Sequence, residues 1–220
     1  MIAPLPLPGE AVLQALDYAS VFVFALTGAL VASRSLLDIV GFIFVAVLTA
    51  VGGGTLRDLL LQREVFWIAD PVILAVAVGG AIAVFFTAHF LESRYRTLIW
   101  LDACALAVAV PAGVAAALGQ GADWAIVLVM GMITGCMGGL LRDVVCNELP
   151  MVLRQGELYV TAAFAGALAA VLAGAGGAST PQALATCGAV TLVLRAGSLA
   201  FGWRLPVYRP TPPRPGAPKR

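Results

Sequence analysis

The segment Thr49-Ala50-Val51-Gly52-Gly53-Gly54-Thr55-Leu56-Arg57-Asp58 returns 85 residues later as Thr134-Gly135-Cys136-Met137-Gly138-Gly139-Leu140-Leu141-Arg142-Asp143. The same offset places Asp17 on Asp102 and Gly28 on Gly113, so the chain is an internal duplication. Both copies lie in strongly apolar sequence, where consecutive glycines weaken a helix and charge is costly in lipid. Breaking both rules twice, at corresponding places, points to a functional axis between the halves.

The surrounding composition sets the environment. Of 220 residues, 61% are hydrophobic and 11% charged, with a mean hydropathy of +0.98. That is more apolar surface than one soluble core of this size buries, so the chain reads as a polytopic membrane protein. Seven stretches of roughly 20 residues each match a roughly 30 Å hydrocarbon core at about 1.5 Å per residue. They cover 13–32, 39–60, 71–90, 98–118, 124–145, 158–176 and 183–203. Runs such as Ala125 to Met130 are apolar on every side, which excludes the alternating strands of a β-barrel. The predicted fold is therefore all-α.

Other classes receive little support. A net charge of +1 gives no general reason to bind nucleic acid. The one basic cluster sits in a proline-rich tail, Arg204 to Arg220, expected to be disordered and close to the membrane. Cys104, Cys136, Cys146 and Cys187 form no Cys-x-x-Cys pair, and they read as small buried thiols; no metal site or cofactor is expected. The N-terminus lacks a basic n-region, so the first apolar segment is expected to be a retained helix. There is no Gly-x-Ser-x-Gly, His-Glu-x-x-His, P-loop or dinucleotide fingerprint, so the chain is not read as an enzyme. His89, at the end of the third span, reads as an interfacial residue.

Positive charges sort cleanly with the N-terminus outside. Arg34, Arg94, Arg96, Arg142, Arg154 and five basic tail residues then fall inside, against Arg57 and Arg63 outside. The expected organisation is an N-terminal tail at 1–12, a first three-helix repeat at 13–97, a second at 98–182, a seventh helix at 183–203 and the tail at 204–220. Three crossings separate equivalent points, so the second repeat is expected to run upside down about a pseudo-two-fold axis in the membrane plane.

The chemistry concentrates on the repeated motif. Gly52, Gly53 and Gly54 together remove about 3 kcal/mol of helix stability, so a kink or unwound turn is expected there, with freed carbonyls lining a wet path. Close helix packing is the alternative, since Gly131, Gly135 and Gly139 share one helical face, mirrored by Ala46, Ala50 and Gly54. Arg57 and Asp58 leave a helix about 100° apart, so each is expected to seek another partner. Asp143 for Arg57 and Asp58 for Arg142 come first, and Asp17 and Asp102 second; Arg195, inside the seventh helix, is a further charge in need of a partner. Alternatively both arginines snorkel to an interface. Thr27, Thr49, Thr55, Thr134, Thr161 and Thr191 either line a pore or bond back to their own helices.

Gly-Gly-Gly-Thr-Leu-Arg-Asp at 52–58, Gly-Gly-Leu-Leu-Arg-Asp at 138–143 and Phe201-Gly-Trp203-Arg204-Leu205-Pro206 together resemble the prokaryotic members of the trimeric intracellular cation channel family. The resemblance covers about residues 10–206. It implies seven transmembrane helices, two inverted three-helix repeats, a homotrimer and a separate pore through each subunit for monovalent cations, chiefly potassium. Potassium or sodium would be the permeant ion. Kinked second and fifth helices would carry the pore and kink residues Gly52, Gly53, Gly54, Arg57, Asp58, Gly138, Gly139, Arg142 and Asp143. Met137 replaces the first of three glycines in the second copy, so the two kinks need not be equivalent. The implied location is a bacterial inner membrane, N-terminus periplasmic and C-terminus cytoplasmic. Some bacterial relatives are described as carriers of small amino acids such as glycine, which is the second reading; a non-transporting membrane scaffold is the third.

Overall fold

The computed structural model describes residues 8–91 and 93–208. Eight helices follow one another: α1 (Pro8–Arg34), α2 (Ile39–Leu60), the single turn α3 (Phe66–Ala69), α4 (Val72–Thr87), α5 (Arg94–Gly119), α6 (Trp124–Val145), α7 (Val160–Ala175) and α8 (Thr180–Phe201). Six are long and apolar enough to cross a membrane: α1, α2, α4 with its 3-10 extension to Phe90, α5, α6 and α8. The apolar helix α7 has 16 residues, about 24 Å, which is short of a roughly 30 Å core. Helices α2 and α6 coincide with the stretches 39–60 and 124–145 read from hydropathy. α1 begins at Pro8, so 8–12 are helical and not the expected tail. Residues 1–7 and the bulk of the C-terminal tail, 209–220, lie outside the described residues.

Local chemistry punctuates these helices. The Asp38 carboxylate accepts from the Gly41 N–H at 2.8 Å and Ser93 Oγ from the Arg96 N–H at 3.2 Å, each satisfying an orphan donor at a helix start. Ser179 and Gln182 form a reciprocal capping box beside Pro181 at the head of α8. Helices α1, α2, α5 and α6 all end in the same reversal, with Leu36, Gln62, Gly121 and Asn147 in the left-handed region. After α2, Gln62 N–H donates to Leu59 O and Arg63 N–H to Asp58 O; after α6, Asn147 and Glu148 repeat this on Val144 and Asp143.

Four helices form the centre. α1 packs on α2 and α5, α5 on α6, and α2 on α6, while α4 covers the first pair and α7 and α8 the second. The end of α1 meets the start of α5, where Arg94 Nη1 donates to Ser33 O at 3.1 Å. The α2–α6 crossing depends on missing side chains. A Cβ placed on Gly53 would collide with the Thr134 carbonyl oxygen, and one on Gly138 with the Thr49 carbonyl oxygen. One placed on Gly52 would lie 2.8 Å from Leu141. Gly28 and Gly113 play the same part at the α1–α2 and α5–α6 contacts, facing Thr49 and Thr134.

This corrects the expectation of an unwound turn. Helix α2 runs unbroken from Ile39 to Leu60 through Gly52, Gly53 and Gly54, and α6 from Trp124 to Val145 through Gly138 and Gly139. The glycines permit close approach of backbones, the alternative weighed above. Thr49 and Thr134 bond back to the carbonyls of Val45 and Met130, at 2.6 and 2.7 Å.

Gly53→Ala and Gly138→Ala should each destabilise the folded protein by about 1–3 kcal/mol through overpacking, despite higher helix propensity. Gly79, which faces open space, serves as the control. Thermal melts in detergent followed by size exclusion should show both crossing variants melting lower and Gly79→Ala unchanged or higher. Equal melting of all three would contradict the packing role.

Candidate functional site

Arg57 is fully buried, which overturns the snorkelling alternative. Its position near the end of α2 lets the side chain lie back along the helix, and there it meets carboxylates on two sides. Nε donates to Asp58 Oδ1 at 2.8 Å and Nη2 to Asp58 Oδ2 at 3.1 Å. Nη1 and Nη2 donate to the two oxygens of Asp17 on α1, at 2.7 and 3.2 Å. The aromatic ring of Phe66 lies 5.3 Å from the guanidinium carbon and also fills the space beside Gly54. Asp58 has a second task, because its Oδ2 accepts the Phe66 N–H at 2.9 Å and so starts the turn α3.

The second half repeats the arrangement. Arg142, fully buried near the end of α6, donates through Nε to Asp143 Oδ1 at 2.7 Å and through Nη1 to Asp102 Oδ1 on α5 at 3.0 Å. Asp143 Oδ2 accepts the Met151 N–H at 2.8 Å. Met151 stands 85 residues after Phe66, so even the backbone bond is duplicated. Arg142 Nη1 also reaches Thr27 Oγ1 on α1 at 3.0 Å, a contact between the halves.

Two expectations are corrected here. Arg57 does pair with its neighbour Asp58, and Arg142 with Asp143, because a long flexible side chain can bend back across the 100° between adjacent positions. The cross-repeat pairs of Arg57 with Asp143 and of Arg142 with Asp58 do not form; Asp17 and Asp102 take those places. Each buried arginine is therefore held between two aspartates; Arg63 Nε also lies 3.7 Å from Asp58 Oδ1 and balances the first cluster, whereas the second carries one formal negative charge in excess. Removing the guanidinium would strand two buried carboxylates, at a cost of about 3–5 kcal/mol.

The clusters differ in access. Asp17 lines a cavity of about 380 Å³ together with Glu10, Gln14, Arg63, Glu64 and Asp70, beside a second cavity of about 540 Å³ that shares Glu10, Leu13 and Arg63. Asp102 is fully buried. Over it stand Tyr159 and Arg195, both buried, with the Arg195 guanidinium 4.9 Å from the Tyr159 ring centre and donating to Glu157 at 2.8 Å. Arg195 thus joins the loop before α7. Glu157 and Tyr159 were missed in the sequence because neither has a like residue in the first half, where Val72 and Leu74 stand 85 residues earlier. The Arg204 and Leu205 pair with that same loop, through Glu157 and Gly156, so the first residues of the expected tail are ordered.

Comparison with known proteins places the chain. A family model described as "Glycine transporter" matches residues 14–89 and again 99–175, once for each half. A "UPF0126 membrane protein" of Vibrio cholerae is 38% identical over 203 residues, covering 89% of this chain and 82% of the relative. The "UPF0126 inner membrane protein YadS" of Escherichia coli is 36% identical over 199 residues, covering 88% and 94%. Among solved structures, the trimeric intracellular cation channel orthologue from Rhodobacter sphaeroides superimposes with a TM-score of 0.84 at 44% identity, covering 87% of this chain and 99% of that one. A prokaryotic channel of the same kind, crystallised in 0.5 M KCl, gives 0.82 at 26% identity, covering 88% and 98%. The chain belongs to the trimeric intracellular cation channel family, as a prokaryotic member.

Proposed function

We propose that this protein is a cation channel, assembled as a homotrimer with a separate path through each subunit and with potassium as the main permeant ion. The observation that carries the reading is the excess negative charge of the buried Asp102-Arg142-Asp143 cluster, with the Asp17-Arg57-Asp58 cluster neutralised through Arg63. An unpaired arginine would repel a cation strongly in a low-dielectric passage; Arg57 is neutralised by its aspartates, and Arg142, clamped between Asp102 and Asp143, leaves a site that attracts one. The likeness to solved channels of this family supports it.

The path we infer starts at the cavity beside Asp17, passes between the halves along α1, α2, α5 and α6, and ends beside Asp102. At the α2–α6 crossing Gly53 lies against the Thr134 carbonyl and Gly138 against the Thr49 carbonyl, so the seam is closed there. Flux then requires these helices to separate, and glycine on both faces keeps the seam free of interlocking side chains. We count α7 as the seventh span and take 13–97 and 98–182 as inverted repeats; the meeting of the end of α1 with the start of α5 supports the inversion. In both halves the third helix is the shorter one.

We orient the N-terminus to the periplasm of a bacterial inner membrane. Arg57 and Arg142 are buried within helices and drop out of the loop count, which leaves nine basic residues inside against Arg63 outside. Labelling of a Glu10→Cys variant by an impermeant thiol reagent in intact cells, on a background lacking the native cysteines, should succeed; labelling only after lysis would reverse the orientation.

The second reading, a carrier for a small amino acid such as glycine, draws on the family's description. Planar-bilayer recording separates the two. The purified protein should show unitary current steps in potassium that vanish when a large organic cation replaces it. Saturable glycine counterflow without steps would favour the carrier, and absence of both would leave a scaffold.

A further inference from the structure

The two clusters are built alike and covered differently. In the first half every guanidinium nitrogen of Arg57 is hydrogen-bonded, and Asp17 looks into a cavity. In the second half Asp102 Oδ2 and Arg142 Nη2 are buried without a protein partner, as are Nε and Nη2 of Arg195. The group standing among them is Tyr159. A Cβ placed on Gly139 would lie 3.3 Å from the Tyr159 hydroxyl, 3.5 Å from Arg142 Nη2 and 3.6 Å from Asp102 Oδ1. The phenol therefore occupies the approach to the Asp102 cluster, and Gly139 is small enough to admit it. The position 85 residues earlier is Leu74 on α4, and Phe66 fills the space beside Gly54 instead.

Tyr159 is held from behind. It stands at the head of α7, after a loop in which Gly156 adopts φ +79°. Arg195 lies against its ring and pairs with Glu157. Helix α8 ends at Gly202, which reverses the chain with φ +69°, and the residues that follow fold back over the loop. Leu205 N–H donates to Gly156 O at 2.9 Å, and Arg204 bridges Glu157. Ser198 Oγ accepts the Leu158 N–H at 3.2 Å and donates to Trp203 O at 3.0 Å. The Trp203 ring lies where a side chain on Gly197 would be.

We propose that Tyr159 is the gate at the Asp102 end of the path, held shut by Arg195 and by a strap formed by Trp203 to Leu205. This rests on the reading of the chain as a solute path between its halves. The closed position leaves four buried polar atoms unpaired, whereas withdrawal of the ring would let water reach Asp102, Arg142 and Arg195 together. An element whose closed state leaves polar groups unsatisfied is poised to move. Because the strap joins the end of α8 to the loop, displacement of Trp203 would be transmitted to Tyr159 through Ser198 and Leu158.

A native thiol reports on this. Cys136 is buried on α6, one turn before Gly139, the glycine that faces the Tyr159 hydroxyl and Asp102. Cys187 is also buried, 0% exposed against 6% for Cys136, but on α8 against α7 at Gly166. In purified protein retaining one of these two cysteines, a small methanethiosulfonate should modify Cys136 at least about tenfold faster in Tyr159→Ala and Trp203→Ala than in the parent, with Cys187 unchanged. Unchanged Cys136 rates in folded variants would overturn the gate, as would equal acceleration at both cysteines, which signals general loosening. Should Tyr159→Ala fail to fold, Trp203→Ala alone decides. Faster Cys136 modification in a protein without unitary currents would keep Tyr159 as the gate of a solute path and remove the channel reading. Unitary currents with unchanged Cys136 rates would remove the gate alone.

Discussion

A guanidinium enclosed by apolar helices needs carboxylates on more than one side, and that requirement organises this molecule. Arg57 ties α2 to α1 through Asp17, while Asp58, its other partner, ties the end of α2 to the turn at Phe66. Arg142 does the same for α6, α5 and Met151, and adds Thr27 of the opposite half. Each ion cluster thereby fixes a helix pair and the connection that leaves it. Such clusters are weak evidence for stability, since well-packed apolar residues often do as well, but they are demanding about geometry. Their duplication at one offset is what makes the halves alike.

Close packing completes the frame. Gly53 against the Thr134 carbonyl and Gly138 against the Thr49 carbonyl bring α2 and α6 backbone to backbone at the centre, while Gly28 and Gly113 do so within each half. Without a hydrophobic drive between helices in lipid, small residues of this kind supply the contact area. The same smoothness suits a seam that opens.

Much of this was legible in the sequence because duplication and hydropathy are signals summed over many residues. The offset that joined Asp17 to Asp102 also carried the charge partners, although Asp17 and Asp102 stood second to a cross-repeat pairing. That order failed because it treated side chains as rigid vectors; Arg57 reaches its own neighbour by bending. The glycine run was read first as a helix breaker. In the folded chain the approaching backbone at Thr134 and Thr49 outweighs the propensity cost, which a single helix cannot disclose. Tyr159 and Glu157 have no like residue in the first half, the strap at Trp203 to Leu205 follows both repeats, and their role arises only when α8 returns to the loop before α7. Arg195, a buried charge with no counterpart in the repeat, was the one available signal.

The asymmetry of access follows from the same source. Two similar clusters were built by duplication, and an unduplicated helix, α8, then covered one of them. The central claim is that the excess negative charge of the Asp102-Arg142-Asp143 cluster selects for cations. The reversal potential under a KCl gradient measures this directly, in the wild-type protein and in Asp102→Asn, whose cluster would be neutral. The account predicts a wild-type potential near that of potassium and a shift toward zero in Asp102→Asn, with the oligomer intact by size exclusion. An unchanged reversal potential in intact Asp102→Asn would contradict it.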